Sequence, residues 1–231
     1  METEKQLGQF DKAIRRGRYM FHIHTDWTDG VTSLANYCIA AKEIGFKSII
    51  PLEHVRRECV YDFRAFMRMV EEQKNNSDME IHLGAEAKIL PDGSLDISEM
   101  ILSNIQVLGI AEHSFKGDTN TLFRALSRAF RSFKDAEFAR VWVHPGKKLL
   151  QQQPESYRLF QEAIQIALES NVYIEVNLYH KLPPEQFFSL VPLPKVVVGL
   201  DAHSIDDIKL FGEIAFDLES KIGHEVRKMA E

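Results

Sequence analysis

Short apolar runs recur at fairly even spacing along this chain, and no other feature restricts its fold as much. They are Arg18–Ile23, Lys47–Leu52, Glu80–Ala85, Ile105–Ala111, Ala139–Val143, Asn171–Val176 and Lys195–Leu200. Most are rich in Val, Ile and Leu, as strands buried on both faces should be. Between them, Leu34–Ile44, Phe63–Gln73, Thr121–Phe133 and Ser156–Ser170 carry apolar residues at helical spacing. Gly45 is placed to end the first of these helices. Strands and helices that alternate through short connections imply parallel strands, in an open doubly wound sheet or a closed barrel. A chain of 231 residues suits one domain of that class.

What stands at the end of each run is informative. The first ends in His22 and His24, the second in Glu53 and His54, and the third in Glu86. The fourth ends in His113, the fifth in His144, the sixth in Asn177, and the seventh in Asp201 and His203. Parallel strands bring their C-terminal ends to one face, and in barrels that face holds the active site. Of nine histidines, only His82, His180 and His224 fall outside this pattern. In a strand, residues two apart face the same side, so His22 with His24, and Asp201 with His203, can reach one metal or two adjacent ones. Imidazole and carboxylate suit zinc, manganese or iron better than calcium or magnesium alone.

The formal net charge of −6 gives no reason to expect nucleic acid as the main partner. The two cysteines suggest no disulfide framework, which fits a reducing cytoplasm. Cys38 reads as a small buried hydrophobe, and Cys59, just after His54, is a minor candidate ligand. Residues 1–18 form a charged lead segment without an apolar signal-peptide core. No apolar run approaches the ~20 residues of a membrane span.

The strand-end motifs carry a family resemblance. FHIHTDWTDG resembles the opening HxH…DG motif of the PHP (polymerase and histidinol phosphatase) family; LEH resembles its second motif, GAE its third and GLDAHS its last. EHS, WVHPGK and IEVN fit the signatures between, so the resemblance spans Tyr19 to Ile208. It implies a single PHP domain over 1–231, with its core at about 19–212. It also implies a distorted (βα)7 TIM-like barrel, with a trinuclear metal site at the C-terminal ends of the strands. Carried over position by position, His22, His24, Glu86 and Asp201 would hold one divalent ion. Glu86 would bridge to a second ion completed by His113 and His144. Asp29, His54 and His203 would hold the third. The second motif departs from the usual Thr-Asp-His, having Leu52, Glu53 and His54, which puts the surroundings of His54 in question.

The function implied is hydrolysis of a phosphate ester by a metal-bridging hydroxide, with a small phosphorylated metabolite as the expected substrate. Glu86 and Asp201 would serve the chemistry as ligands, and Asn177 would orient a ligand or the substrate. Glu175, two residues before Asn177, would support a ligand from behind. Arg57 and Lys88 are candidates for gripping the substrate's anionic group, as are Arg56, Lys116 and Lys147. His180 is a candidate for protonating the leaving group. His82 is expected to point inward as a hydrogen-bonded core residue. Arg124, Arg128, Arg131 and Lys134 read as the solvated face of a helix. A 3′–5′ exonuclease or oligonucleotidase would use the same ions on a phosphodiester, with nucleic acid as substrate only. An amidohydrolase and a non-catalytic metal-binding module are further readings, the latter disfavoured by the complete ligand set.

Overall fold

The computed structural model describes residues 3–133, 136–151 and 155–229. Its strands are β1 (Tyr19–Ile23), β2 (Ser48–Val55), β3 (Glu80–Ile81), β4 (Gly84–Lys88), β5 (Val107–Ala111), β6 (Ala139–Trp142), β7 (Tyr173–Asn177) and β8 (Val196–Ala202). Its helices are α1 (Thr3–Arg16), α2 (Leu34–Ile44), α3 (Phe63–Asn76), α4 (Glu99–Leu102), α5 (Thr119–Ser132), α6 (Glu155–Glu169) and α7 (Ile205–Lys228). All strand pairings are parallel, and β1 pairs with both β2 and β8. The order β1-β8-β7-β6-β5-β4-β2 therefore closes on itself, with β3 a short strand beside the start of β2. This is the closed form of the expected fold, a TIM-like α/β barrel. No described helix is long and apolar enough to cross a membrane.

Alternation along the strands separates two apolar layers. Tyr19 and Phe21 of β1, Leu52 of β2, Val107 of β5, Val141 of β6, Tyr173 of β7 and Val197 of β8 join one cluster inside the ring. Met20, Ile49, Leu108, Trp142, Ile174 and Val198, each one residue out of step, join the layer beneath the helices. A barrel this narrow is filled by side chains rather than left open.

The N-terminal segment is part of this packing. Its helix α1 buries Phe10 and Ala13 completely or nearly so. Phe10 meets Phe21 and Tyr173 edge to face, at 6.4 and 5.4 Å between ring centroids. Tyr173 also donates its hydroxyl to Asp11. The charged lead segment is thus a helix that stoppers the N-terminal end of the barrel; its charges hide an apolar stripe of only a few residues. Residues 1 and 2 of that segment, and Lys134 of the proposed basic stripe, lie outside the described residues.

Two more departures bear on the site. The third run is broken: pairing with β2 stops after Ile81 and resumes at Gly84, so Glu86 lies inside a strand rather than beyond its end. His82 sits at this break, with Nε2 3.2 Å from Glu80 Oε1, at the opposite end of the barrel from the other strand-end histidines. The long helix α7 begins directly after His203 with a capping box, in which Ser204 accepts from the Asp207 amide and Asp207 accepts from the Ser204 amide. Asp207 Oδ2 also accepts from the His203 amide at 2.9 Å, so the cap fixes that histidine's backbone.

Candidate metal centre

The inward-facing register runs straight up into the polar cluster. On β2, Leu52 is followed two residues later by His54; on β4, Gly84 by Glu86 and then Lys88; on β7, Tyr173 by Glu175 and Asn177; on β8, Val197 by Gly199 and Asp201. Strand β1 reaches the cluster differently. Strict alternation would turn His22 away from the side that Phe21 faces. The pairing of β1 with both neighbours slips between Phe21 and Ile23, and His22 takes φ +64°. This bulge turns His22 inward and sends Ile23 into the outer layer. His144 and Asp201 also have positive φ, at +32° and +52°. Non-glycine residues adopt such backbone only where the surroundings enforce it, and they gather at functional sites.

Glu86 is the focus. Its Oε2 lies 3.1 Å from His22 Nε2 and 3.5 Å from His24 Nε2. Its Oε1 lies 3.4 Å from His113 Nδ1, 3.4 Å from His144 Nε2 and 3.6 Å from His54 Nδ1. Asp201 Oδ1 approaches His22 and His24 at 3.4 and 3.3 Å. On the outer side, Asp29 Oδ2 sits 3.1 Å from His54 Nε2 and 3.6 Å from His203 Nε2. All nine residues expected as ligands are therefore gathered at one end of the barrel. Among the described residues, four sets of three have ligand atoms within 4.8 Å of one another: His22, His24 and Glu86; His22, His144 and Asp201; Glu86, His113 and His144; and His24, Asp29 and His203. Cys59 is in none of them.

The donor set fits cations. His24 Nδ1 and Nε2, His54 Nδ1, His113 Nδ1 and Glu86 Oε1 are buried without a hydrogen-bond partner. Leaving so many polar atoms unsatisfied in one place is costly, and coordination would satisfy them. Burial disfavours the charged forms of His54 and His113, and His113 is pushed down to about 4, so both rings present neutral nitrogen near pH 7. Burial alone would raise the Glu86 carboxyl, but His144, His22 and His54 outweigh it and hold it well below the usual range.

A further set of groups holds these in place. Glu175, fully buried, accepts from His22 Nδ1 at 2.6 Å, from the His144 amide, and from Asn177 Nδ2 at 3.1 Å. It thereby fixes the ring orientation of one candidate ligand and the backbone of another. An ideal Cβ on Gly199 would stand 1.7 Å from Glu175 Oε1, so only glycine leaves room for this carboxylate. Asn177 also accepts from the His180 amide at 2.8 Å. Glu53 proves well employed: it accepts from the Thr25 amide at 2.8 Å and from the Thr28 hydroxyl, tying down the loop that presents Asp29. Gly30 closes that loop, where a Cβ would lie 2.1 Å from the His24 carbonyl oxygen. Glu112, next to His113, accepts from the amides of Lys148 and Leu149 at 3.1 and 3.3 Å and secures the loop after His144.

The remaining candidates are distributed around the mouth. His180 Nε2 is 3.0 Å from Asp201 Oδ2 and 2.6 Å from Lys147 Nζ. Arg57 is exposed; its side chain bonds Ser94 Oγ at 2.8 Å and its amide bonds Asp96 at 3.0 Å. Lys88 is half-buried on the inward register, where burial and the nearby charges of Arg56 and Lys116 hold its ammonium below the usual lysine range. The role of Glu112 was hidden by local sequence: it is a single charge beside His113, and only the folded loop shows the amides it faces.

No family model matches the chain. In sequence it is similar to the DNA polymerase/3′-5′ exonuclease PolX of Bacillus subtilis (strain 168), with 23% identity over 203 residues. That alignment covers 81% of this chain and 35% of the relative, so the chain spans little more than a third of that protein's length. In structure it is similar to histidinol phosphate phosphatase (HISK) from Lactococcus lactis, solved in complex with zinc, L-histidinol and phosphate. The TM-score is 0.57 at 13% identity, over 85% of this chain and 93% of the other, and this likeness shows the fold. A two-domain protein from Bacteroides vulgatus, described as containing a predicted PHP-like metal-dependent phosphoesterase, matches with a TM-score of 0.46 at 19% identity. That match covers 83% of this chain and 55% of the other.

Proposed function

We propose that this chain is a metal-dependent phosphoesterase of the PHP kind, acting on a phosphomonoester of a small metabolite. The observation that carries the reading is the Glu86 carboxylate, which stands within 3.6 Å of five imidazole rings drawn from four regions of the barrel. His22, His24, Glu86 and Asp201 would hold one ion, Glu86 with His113 and His144 a second, and Asp29 with His54 and His203 a third. Bound there, zinc, manganese or iron would supply positive charge against the phosphoryl oxygens and lower the pKa of water.

The chain's own residues would do the positioning. Glu175 keeps His22 Nδ1 engaged, leaving Nε2 directed at the cluster. Asn177 spans Glu175 and the His180 amide and keeps that side of the mouth from drifting. Glu53 holds the Asp29 loop over the opening through Thr25 and Thr28. We take residues 1–231 as one domain, because α1 and α7 both pack against the barrel.

The reading is tested by purifying the protein without chelators, measuring its metal content, and assaying it with manganese or zinc. The substrates would be an aryl phosphate, histidinol phosphate, nucleotides and short oligonucleotides. Monoester turnover that requires bound metal is expected. Bound metal without turnover on any ester would overturn the catalytic claim while leaving the centre standing. The similarity to PolX favours a second reading, phosphodiester cleavage, which cleavage of the oligonucleotides alone would select.

A further inference from the structure

Two cations, Arg56 and Lys88, follow candidate ligands by two residues on neighbouring strands, and a third, Lys116, follows His113 by three. His54 and Glu86 are register partners on neighbouring strands, as are Val55 and Ala87. Continuing the same inward-facing alternation by one step brings Arg56 from one strand and Lys88 from the other to the mouth, side by side. Lys116 stands in the loop after His113; its charge acts on Lys88 in the same sense as that of Arg56, and the Glu86 and Asp96 carboxylates act in the opposite sense. The opposite charges here are Asp96 and the candidate ligand Glu86. Arg56 Nε lies 3.6 Å from Asp96 Oδ2, and Asp96 also accepts from the Arg57 amide at 3.0 Å. Neither Lys88 nor Lys116 has an ion pair or hydrogen bond of its own among the described residues. In a chain of net charge −6, such a concentration beside one cluster of candidate ligands is not a general surface property.

We infer that Arg56, Lys88 and Lys116 form a second anion site, which takes a carboxylate or phosphate that the substrate carries besides its scissile ester. This rests on the phosphoesterase reading and narrows its substrate class. Lys88 is two residues beyond Glu86, so its Cα stands about 7 Å further along the strand. An anion held there belongs to another part of the molecule than the phosphoryl group at Glu86. The site selects substrates with two separated negative groups. It selects against those whose far end is cationic, because three like charges repel an ammonium or imidazolium group.

The test compares two rigid esters of matched shape, 4-carboxyphenyl phosphate and its neutral analogue 4-carbamoylphenyl phosphate, on the metal-loaded protein. The reading is the ratio of their kcat/KM values in wild type and in Lys88→Ala and Lys116→Ala. A wild-type ratio of about tenfold in favour of the carboxylate is expected, the factor carried by one charge-assisted hydrogen bond. It should fall towards one in each variant, mainly through KM. A ratio unchanged by both substitutions overturns the inference, as does equal loss on both esters, which would place the lysines on the scissile phosphate. Should neither ester turn over, nor any ester of the wider panel, the phosphoesterase reading is what fails. Calorimetric binding of 4-carboxyphenyl phosphate then decides the anion site alone: weaker binding in the variants upholds it, and unchanged binding refutes it.

Discussion

Replacing Gly199 with alanine should damage the metal centre from behind, without touching any candidate ligand. The added Cβ would lie 1.7 Å from Glu175 Oε1 and 2.5 Å from its Cδ. The carboxylate would have to retreat by about 1.5 Å or more to reach ordinary contact distance. Glu175 is wholly buried, and its bond to His22 Nδ1 spans 2.6 Å, so a retreat of that size breaks it. The bond to the His144 amide is exposed to the same movement. Charge-assisted hydrogen bonds contribute about 1.5–3 kcal/mol each, so losing two costs about 3–6 kcal/mol of stability. Freeing the His22 ring should also weaken metal binding by about 10–100-fold. Urea unfolding of the chelator-treated protein gives the first quantity, and competition for zinc against a coloured chelator gives the second. Glu175→Gln provides the contrast: it removes the charge without the collision, so metal affinity should fall more than stability. If Gly199→Ala protein unfolds at the wild-type urea concentration and holds zinc as tightly, the account of Glu175 is wrong.

Other outcomes follow from the same geometry. Glu86→Gln should lower metal content measured by mass spectrometry and abolish ester turnover; retention of both would sink the placement of Glu86 at the focus. Chelation of the wild-type protein should lower its thermal midpoint, because the buried unsatisfied atoms of His24, His54 and His113 lose their partners; an unchanged midpoint would count against ion binding there. Phe10→Ala should cost about 3–5 kcal/mol in urea unfolding, since the ring fills the end of the barrel; a loss below 1 kcal/mol would show that α1 merely lies alongside. Burial holds the Glu219 carboxyl well above its usual range, against the opposing bond from the Tyr19 amide. A folded pKa above the unfolded one gives stability that is complete below about pH 4.3 and is lost as pH rises towards the folded value. Glu219→Gln, which keeps an acceptor for Tyr19, should remove that decline, and parallel pH curves for the two proteins would refute the assignment.

The sequence exposes the centre more fully than it exposes the frame. Apart from Asp29, which a loop presents, each expected ligand sits in or beside a strand marked by an apolar run, and parallel strands have no choice but to gather those ends. The bulge at His22 is not legible: periodicity puts His22 and His24 on one side, as found, but gives no hint that the backbone must twist at His22 to turn them inward. Nor is the break at His82, where two strand pieces share one apolar run. Helix α1 is concealed because charges cover all but a narrow stripe, whereas α7 did leave a signal, the Ser204 and Asp207 capping pair directly after the last motif. Arg57 and Lys88 look equivalent as loop cations, and only the inward register separates them, carrying Arg56 and Lys88 towards the mouth while Arg57 bonds Ser94 at its edge.

The closure of the ring between β1 and β8 has a consequence for how the protein matures. Their union includes the bond from the Val198 amide to the Tyr19 hydroxyl, between residues 179 apart in sequence. Contacts of that range are the slowest for a chain to find. His22 belongs to the first strand, which His24 directly follows, and Asp201 to the last, so the set they form with Glu86 exists only once the two ends of the barrel have met. A half-folded chain would leave these four candidate ligands dispersed, although Glu86, His113 and His144, on or just after the neighbouring strands β4 to β6, could already stand together. Uptake of the ion proposed for that first set would therefore arrive as the closing event of folding, and a time course of its uptake would record when the ring is sealed.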